Sequence, residues 1–192
     1  MMDSPAPGLP AISFWYLRHG ETDWNVQGLS QGNVDIPLNP TGLAQARAAA
    51  GLLKGRGIAS IVSSPLSRAR VTAEIVAEAL GLPVALDSDL REVSFGVQEG
   101  KTMGDWFPDW VAGRFTPEGA ESFPALRSRA RSAAARALGS PPVVLVVAHG
   151  ALFRALRAEM GVEPNVRTRN AVPIWCEAPR TGENAWRLTY LA

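Results

Sequence analysis

The 192-residue sequence lacks the features that mark disulfide-rich, membrane-spanning or strongly charged proteins. It has one cysteine, Cys176, so no internal disulfide can form, which suits a reducing compartment. Its longest strongly apolar run, residues 143–148, is too short to cross a bilayer. A net charge of +1 provides no global field that would attract nucleic acid or an anionic membrane. The sequence therefore predicts a cytoplasmic protein with neither nucleic acid nor membrane as a partner.

The amino-terminal segment also lacks a targeting signal. It begins MMDSPAPGLPA, has no basic region and is interrupted by three prolines, which is not typical of a signal peptide. We expect residues 1–10 to form a disordered tail and residues 11–192 to form a single domain. The balance of 46% apolar and 19% charged residues allows a core without disulfides or metals.

Apolar runs alternate with helical patterns along the chain. The predicted strands are 12–17, 59–63, 143–148, 172–177 and 186–191, and the predicted helices are 40–53, 65–80, 121–138 and 151–160. This alternation predicts a three-layer α/β/α sandwich with a mostly parallel central sheet. Residues 92–122 break the alternation and predict an irregular insertion that serves as a lid or a substrate wall.

Local sequence signals mark the ends of several of these predicted helices. Asn39 is expected to cap the first predicted helix, Ser64 to cap the second, and Gly81 to end the second. The insertion contains an aromatic cluster, which we interpret first as a small packing core and second as a substrate contact. The members of that cluster are Trp106, Phe107, Trp110 and Phe115.

Only two histidines occur, and they stand in the same local context. His19 follows Phe-Trp-Tyr-Leu-Arg and precedes Gly20, while His149 follows Val-Val-Leu-Val-Val-Ala and precedes Gly150. Each lies at the carboxyl end of a predicted strand, where open α/β sheets bind ligands. One histidine there is more often a polar strand end than a site, but two in matching places favour a shared site. The glycines are expected to let the backbone turn sharply.

Two arginines indicate what such a site would bind. Arg18 adjoins His19, and Arg68 lies in the first turn of the second predicted helix. The positive charge of an arginine at a helix amino terminus is repelled by the helix dipole, and a bound dianion would offset this repulsion. The alternative for Arg68 is a solvated charge on the surface. A binuclear metal site is disfavoured, because a guanidinium group adjoins the histidine and no His-x-His spacing occurs. A Walker phosphate-binding loop is absent from the sequence.

The motifs occur in an order that resembles the histidine phosphatase superfamily, in its phosphoglycerate mutase-like branch. They are RHGETDWN at 18–25, QGNVDIPLNPTGLAQA at 31–46, SSPLSRARVTAE at 63–74, LREVSFGVQEG at 90–100, PEGAES at 117–122 and VAHGALFRAL at 147–156. The resemblance implies a phosphoglycerate mutase-like fold with His19 as the nucleophile. It further implies Glu92 as the general acid and a phosphoryl-binding set of Arg18, Arg68, His149 and Asn25.

The resemblance also implies a metal-independent phosphomonoesterase that needs no cofactor. Its substrate would be a small phosphate ester, hydrolysed through a phosphohistidine on a neutral His19 with a protonated His149 as a third cation. Glu92 is distinguished from Glu99, Glu118 and Glu121 mainly by the resemblance. A surface carboxylate paired with the neighbouring Arg91 is its alternative role.

The substrate and the reaction subtype stay open at this point. A compact insertion and a short carboxyl end favour hydrolysis, while a phosphoglycerate mutase, a protein phosphatase and a catalytically silent binding module are the alternatives. Departures from the family pattern at Gln98 and residues 118–122 concern the substrate wall. We expect Arg114, Glu118, Arg127 and the aromatic insertion to select the substrate. A homodimer is compatible with the sequence.

Overall fold

A six-stranded sheet forms the centre of the computed structural model, which describes residues 8–180 and 185–191. Its strands are β1 (Phe14–Arg18), β2 (Ser60–Ser63), β3 (Val84–Leu86), β4 (Val144–Ala148), β5 (Ile174–Glu177) and β6 (Arg187–Tyr190). Their order across the sheet is β3-β2-β4-β1-β5-β6. The first four are mutually parallel, β5 pairs antiparallel with β1, and β6 pairs antiparallel with β5. The predicted mostly parallel sheet is confirmed. Residues 1–7 of the predicted tail lie outside the described residues.

Helices cover both faces of the sheet. They are α1 (Asp23–Val26), α2 (Pro40–Leu53), α3 (Ser67–Leu80), α4 (Trp106–Val111), α5 (Phe123–Leu138) and α6 (Gly150–Glu159). Because strand side chains alternate between faces, β1 contributes Phe14 and Tyr16 to the core under α5 and α6, and Trp15 and Leu17 to the core under α2 and α3. These two cores on opposite faces confirm the three-layer sandwich.

The predicted caps of α2 and of the end of α3 are correct, and the predicted cap at the start of α3 is wrong. Asn39 caps α2 by accepting a hydrogen bond from the Gly42 amide at 2.8 Å, and Gly81 ends α3 in the left-handed conformation with φ of 68°. Ser64 does not cap α3, which begins at Ser67. The Ser64 amide instead donates to the Val147 carbonyl at 3.0 Å, so Ser64 continues the pairing of β2 with β4 by one residue.

A short strand and the start of another helix also differ from the sequence pattern. Strand β3 was not predicted, because three residues of which two are exposed carry no alternation. Helix α5 begins at Phe123 rather than at 121, and Ser122 caps it by accepting from the Ala125 amide at 3.3 Å. Among the described helices, none could span a lipid bilayer.

The segment 92–122 folds over the α5 side of the sheet through the short helix α4. Phe107 and Trp110 are buried in the core on that face, and the Trp110 ring lies 5.1 Å from the Phe123 ring. The Trp110 indole donates to the Glu121 carbonyl at 2.9 Å. Phe115 is 45% exposed and lies outside this core. The packing interpretation therefore holds for Phe107 and Trp110 but not for Phe115.

Candidate active site

A cavity of about 250 Å³ lies at the carboxyl ends of β1 and β4. Five of the six residues that the sequence indicates as functional line it: Arg18, His19, Asn25, Arg68 and Glu92. The sixth, His149, is fully buried behind the cavity wall, with its ring 5.3 Å from the His19 ring. The fold thus brings together side chains that are up to 131 positions apart in the sequence.

The parallel pairing of β1 and β4 places the two histidines side by side. Arg18 is in register with Ala148, so His19 and His149 follow at equivalent positions, and the His19 amide donates to the Ala148 carbonyl at 3.0 Å. The Tyr16 hydroxyl fixes the backbone of the second histidine by donating to the His149 carbonyl at 2.7 Å. It also accepts from the His149 amide at 3.1 Å. The expected meeting of the imidazoles is confirmed.

The His19 ring is held in one tautomer. Its Nδ1 lies 2.7 Å from the Gly20 carbonyl oxygen, and because a carbonyl can only accept, Nδ1 carries the proton and Nε2 carries the lone pair. Burial, followed by the charges of Arg18 and Arg68, lowers the pKa of His19 well below its usual range. His19 is therefore neutral at pH 7, as a nucleophilic imidazole must be.

His149 is neutral as well, which corrects the expectation of a protonated third cation. Its Nε2 lies 2.8 Å from the Ser64 hydroxyl, and its Nδ1 has no partner among the described residues. Burial, then the charges of Arg68, His19 and Arg18, lower the pKa of His149 well below its usual range. The second histidine can thus offer a hydrogen bond to a ligand in this state, but not a charge.

The two predicted arginines are anchored by backbone carbonyls. Arg18 Nη1 donates to the Thr168 carbonyl at 2.6 Å, and Arg68 donates from both terminal nitrogens to the carbonyls of Val34 and Gly32 at 2.8 Å each. Arg68 has no exposed surface, so the alternative of a solvated surface charge is wrong. The Nε atoms of Arg18 and Arg68 are buried and have no acceptor among the described residues. Such donors suit an anion held in the cavity.

Among the residues that the structure describes, Glu92 is the one acidic side chain that lines the cavity. Its carboxylate accepts hydrogen bonds from the amides of Ala151 and Leu152, both at 3.0 Å, at the start of α6, and from its neighbour Val93 at 3.1 Å. It is 8% exposed, and Arg91 turns away to the Ser88 carbonyl, so the surface-pair alternative is wrong. These three amide donors hold the carboxyl group in place at the cavity wall.

The other carboxylates considered from the sequence have different partners. Glu99 accepts from the amides of Asn33 and Phe95, both at 3.1 Å, and Glu121 forms an ion pair with Arg129. Glu118 is exposed and does not line the cavity. Geometry therefore separates Glu92 from its rivals, which sequence alone could not do.

Sequence reasoning missed Asn170, which links two predicted residues. Its amide nitrogen lies 3.0 Å from the His19 carbonyl and 3.0 Å from Asn25 Oδ1. Asn25 Oδ1 also accepts from the Thr22 amide at 3.2 Å, so its oxygen is occupied and its amide nitrogen is the group left to donate. Asn170 lies in a loop without a recognisable motif, and no signal in the sequence indicates it.

Three further arginines belong to the site or its supports. Arg129 of α5 donates to the carbonyls of Asp89 and Arg91 at 2.6 and 2.8 Å, which holds the segment that carries Glu92. Arg154 and Arg167 line the cavity itself. Helical periodicity could have indicated Arg154. It lies three residues after the lining residue Ala151, on the same face of α6.

Most of the residues that the sequence predicts to select the substrate do not line the cavity. Arg114 pairs with Asp109 on the surface, Arg127 pairs with Glu159, and neither lines the cavity. The aromatic insertion does contribute, through Phe95 and Phe107. The insertion therefore serves both as packing core and as cavity wall.

Of the two glycines after the histidines, Gly20 is required for close packing, and neither is required for an unusual turn. Neither Gly20 nor Gly150 has a positive φ. A Cβ atom on Gly20 would collide with the Gly42 carbonyl oxygen at the start of α2, and one on Gly150 would lie 3.4 Å from Arg18 Nε. Gly20 thus lets the loop after β1 approach α2, while a Cβ atom on Gly150 would make only an ordinary van der Waals contact.

Side chains that could hold a metal ion do not gather at this site. Within residues 8–180 and 185–191, no group of three or more histidine, cysteine, aspartate or glutamate residues is close enough to bind one. The cavity wall is instead dominated by guanidinium groups.

Known proteins share both the sequence pattern and the fold. Residues 14–172 match the family model described as histidine phosphatase superfamily (branch 1). The chain is 36% identical over 178 residues to the uncharacterized phosphatase PhoE of Bacillus subtilis, with 90% of each covered. It is 37% identical over 180 residues to the probable phosphoglycerate mutase GpmB of Escherichia fergusonii, covering 86% of this chain and 78% of that one. A solved structure of mycobacterial glucosyl-3-phosphoglycerate phosphatase in complex with VO3 has a TM-score of 0.79, 33% identity, and coverage of 92% and 97%.

Proposed function

Since the chain belongs to the histidine phosphatase superfamily (branch 1) and is an enzyme of that kind, we propose that it hydrolyses a small phosphorylated metabolite through a phosphohistidine on His19. The observation that carries the proposal is the state of His19. Its neutral ring keeps a lone pair on Nε2, beside buried guanidinium groups that can bind a phosphoryl group.

In the first step, Nε2 of His19 attacks the phosphorus atom while the ester P–O bond breaks. Arg18 and Arg68 bind the equatorial oxygens, whose negative charge is spread during transfer, and Asn25 and His149 add hydrogen bonds. Glu92 donates a proton to the leaving oxygen, so the alcohol departs neutral. Hydrogen bonds from three backbone amides hold the Glu92 carboxyl group in the cavity wall, from which it acts as the acid.

In the second step, water attacks the phosphohistidine and the P–N bond breaks. Glu92, now a carboxylate, takes a proton from the water, and inorganic phosphate leaves. His19 recovers its lone pair on Nε2, and the cycle closes with no net change in the protein. The guanidinium groups supply the charge that metal ions supply in other phosphotransferases, so the proposal includes a metal-independent reaction.

The intermediate can be trapped directly. A substrate labelled in its phosphoryl group, mixed with the wild-type protein and quenched in alkali, should leave label on the protein, because phosphohistidine survives alkali and is lost in acid. His19→Gln should carry no label and release no phosphate. Saturating EDTA should change neither the labelling nor the rate of the wild-type protein.

Two results would contradict this proposal. Phosphate release that persists at the wild-type rate in His19→Gln would exclude His19 as the nucleophile. Loss of activity in EDTA, restored by a divalent cation, would exclude the metal-independent step. The proposal has two further parts. The single cysteine supports a cytoplasmic location. The small volume of the cavity supports small-molecule substrates.

A further inference from the structure

The carbonyl group of Gly20 determines which nitrogen of the His19 ring carries the lone pair. It accepts a hydrogen bond from His19 Nδ1 at 2.7 Å, which leaves Nε2 without a proton. If this acceptor moved away, the ring proton could occupy either nitrogen, because the tautomer of a histidine is set by the hydrogen bonds that its ring makes. Groups that fix the Gly20 carbonyl therefore also fix the tautomer of His19.

Thr72 of α3 holds the amide side of Gly20. The Gly20 amide donates to Thr72 Oγ1 at 3.0 Å, and the Thr72 hydroxyl donates to the Arg68 carbonyl one turn earlier at 2.7 Å. Because an amide can only donate and a carbonyl can only accept, the hydroxyl has one possible orientation. Thr72 has no exposed surface and Gly20 is buried, so the bond is shielded from solvent. This hydroxyl ties the loop after His19 to the helix turn that carries Arg68.

Gln45 of α2 holds the carbonyl side of Gly20. The Glu21 amide donates to Gln45 Oε1 at 2.9 Å. This amide belongs to the same planar peptide group as the Gly20 carbonyl, so fixing its N–H bond also fixes the direction of the C=O bond. Gly20 is packed against the same helix, since a Cβ atom on it would lie 2.4 Å from the Gly42 carbonyl oxygen.

The packing of α3 does not by itself require a hydroxyl at position 72. The neighbouring buried positions of the helix are the apolar residues Ala69, Ala73 and Val76. A hydroxyl that bonds to the carbonyl four residues earlier slightly destabilises a helix. Valine would fill the same space, but it could not accept the hydrogen bond from Gly20. The hydroxyl is therefore explained by the contact with the loop after β1.

We propose that Thr72 and Gln45 are positioning residues for the nucleophile. They form a clamp on Gly20 from two helices, and the clamped carbonyl keeps the proton of His19 on Nδ1 and the lone pair on Nε2. Neither side chain lines the cavity, so both act through the backbone of the loop. The inference rests on the proposed function, since the lone pair on Nε2 matters for turnover only if His19 attacks phosphorus.

Nitrogen-15 NMR of the histidine rings measures the tautomer directly, because the chain has only two histidines. Protein without a histidine tag is labelled at the ring nitrogens and examined at pH 7.5, and His149→Gln identifies the signals of His19. A protonated ring nitrogen and one with a lone pair resonate far apart. The positions of the two His19 signals therefore report the share of each tautomer.

Thr72→Val and Gln45→Met keep the approximate size of each side chain and remove the acceptor. In each variant we expect the two His19 signals to move towards each other, because the tautomer with its proton on Nε2 becomes populated. The kcat for p-nitrophenyl phosphate should fall roughly tenfold with little change in KM. Thr72→Ser and Gln45→Glu retain an acceptor oxygen, so they should keep most of the wild-type spectrum and rate.

Ser132→Ala is the matched control for the hydroxyl at position 72. The Ser132 hydroxyl makes the same type of bond, to the Ser128 carbonyl four residues earlier in α5 at 3.0 Å. Ser132 is exposed and does not line the cavity. Its loss should leave both the His19 signals and kcat unchanged.

The spectrum of each variant decides the role of its own residue. His19 signals that stay in place in Thr72→Val and Gln45→Met would overturn the clamp, even if the rates fell, and so would shifted signals with an unchanged kcat. If these two variants failed to fold while Thr72→Ser and Gln45→Glu folded, the side chains would serve stability alone, which also overturns the clamp. A wild-type protein that releases no phosphate would contradict the phosphatase proposal instead, and the spectra would still test the tautomer.

Discussion

At the scale of single residues, the site is built around two histidines that are kept neutral by what surrounds them. Both are almost completely removed from water, and buried arginines lie beside them. The same arrangement that gives His19 its free lone pair therefore also links the stability of the fold to pH, because an unfolded chain would protonate both rings.

The free energy of unfolding should fall as the pH is lowered below about 6.5. Each folded histidine has its pKa depressed, while the unfolded value is near 6.5, so the unfolded chain binds more protons below that pH. The stabilisation is fully present above pH 6.5 and is lost as the pH falls towards the folded pKa. Between pH 7.5 and 5.5 each histidine should account for a loss of about 1.4 kcal/mol. Urea unfolding at several pH values measures it.

His149→Gln is the matched control for this pH effect. It removes one of the two titrating rings, so its stability should fall by about 1.4 kcal/mol less than that of the wild-type protein over the same range. Other titrating groups contribute alike to both proteins and cancel in the comparison. Identical pH dependences would mean that His149 is not held neutral.

Sequence patterns located these residues and predicted a neutral His19, but they gave the wrong protonation state for His149. The matching context of His19 and His149 predicts that they meet, because equivalent ends of adjacent parallel strands lie together. Protonation depends on burial and on guanidinium groups contributed by distant segments, such as Arg68. Asn170 and Arg167 escaped prediction for the same reason: each lies in a loop whose path depends on the tertiary structure.

At the scale of elements, the segment that carries Glu92 depends on a contact with α5. Arg129 donates to two carbonyls of that segment and pairs with Glu121 through two nitrogens, Nε at 2.9 Å and Nη2 at 2.6 Å. Its side chain is 22% exposed, and that of Glu121 is 21% exposed. Because this pair is shielded from water and holds backbone groups, it is worth more than a surface ion pair.

Arg129→Met should destabilise the protein by about 3 kcal/mol, since it leaves a partly buried carboxylate and two carbonyls without their donor. It should also misplace Glu92. Hydrolysis of an alkyl phosphate, whose leaving group needs a proton, should therefore slow at least about tenfold more than hydrolysis of p-nitrophenyl phosphate, whose leaving group does not. Denaturant unfolding and kcat for the two esters provide the readouts.

Arg136→Met provides the control for the Arg129 variant. Arg136 lies two turns further along α5, is 51% exposed and pairs with Asp87 and Asp89. Its loss should cost less than about 1 kcal/mol and leave the ratio between the two esters unchanged. If Arg129→Met slowed both esters equally, Arg129 would contribute to stability alone and would not position Glu92.

The elements with strong local signals were predicted well, and those fixed by distant contacts were not. Helix α2 was predicted from residue 40 to residue 53, because Asn39, Pro40 and its apolar face agree. The start of α3 was wrong, because Asp35 rather than Ser64 accepts from the first amide of the helix, at 2.8 Å, from a loop 32 residues away. Strand β3 forms only because β2 offers it an edge.

At the scale of the whole molecule, the sandwich places one open cavity at the end of the sheet. Within the described residues, its wall combines the loops after β1 and β4, the start of α3, and the insertion. Met103 and Arg167 line this cavity, yet Met103 is 46% exposed and Arg167 is exposed as well. The mouth of the cavity is therefore open to water, although His19 itself is only 2% exposed.

An open cavity mouth favours hydrolysis over phosphoryl return, the reaction suggested by the likeness to a probable phosphoglycerate mutase. A mutase has to pass the phosphoryl group from His19 to a second hydroxyl before water attacks it, which an open cavity does not favour. With 3-phosphoglycerate in water enriched in oxygen-18, we expect inorganic phosphate to form faster than 2-phosphoglycerate. Each phosphate should carry one oxygen-18 atom, because water attacks phosphorus as the P–N bond breaks. Phosphorus NMR resolves all three species, and 2-phosphoglycerate that accumulates ahead of phosphate would establish the mutase instead.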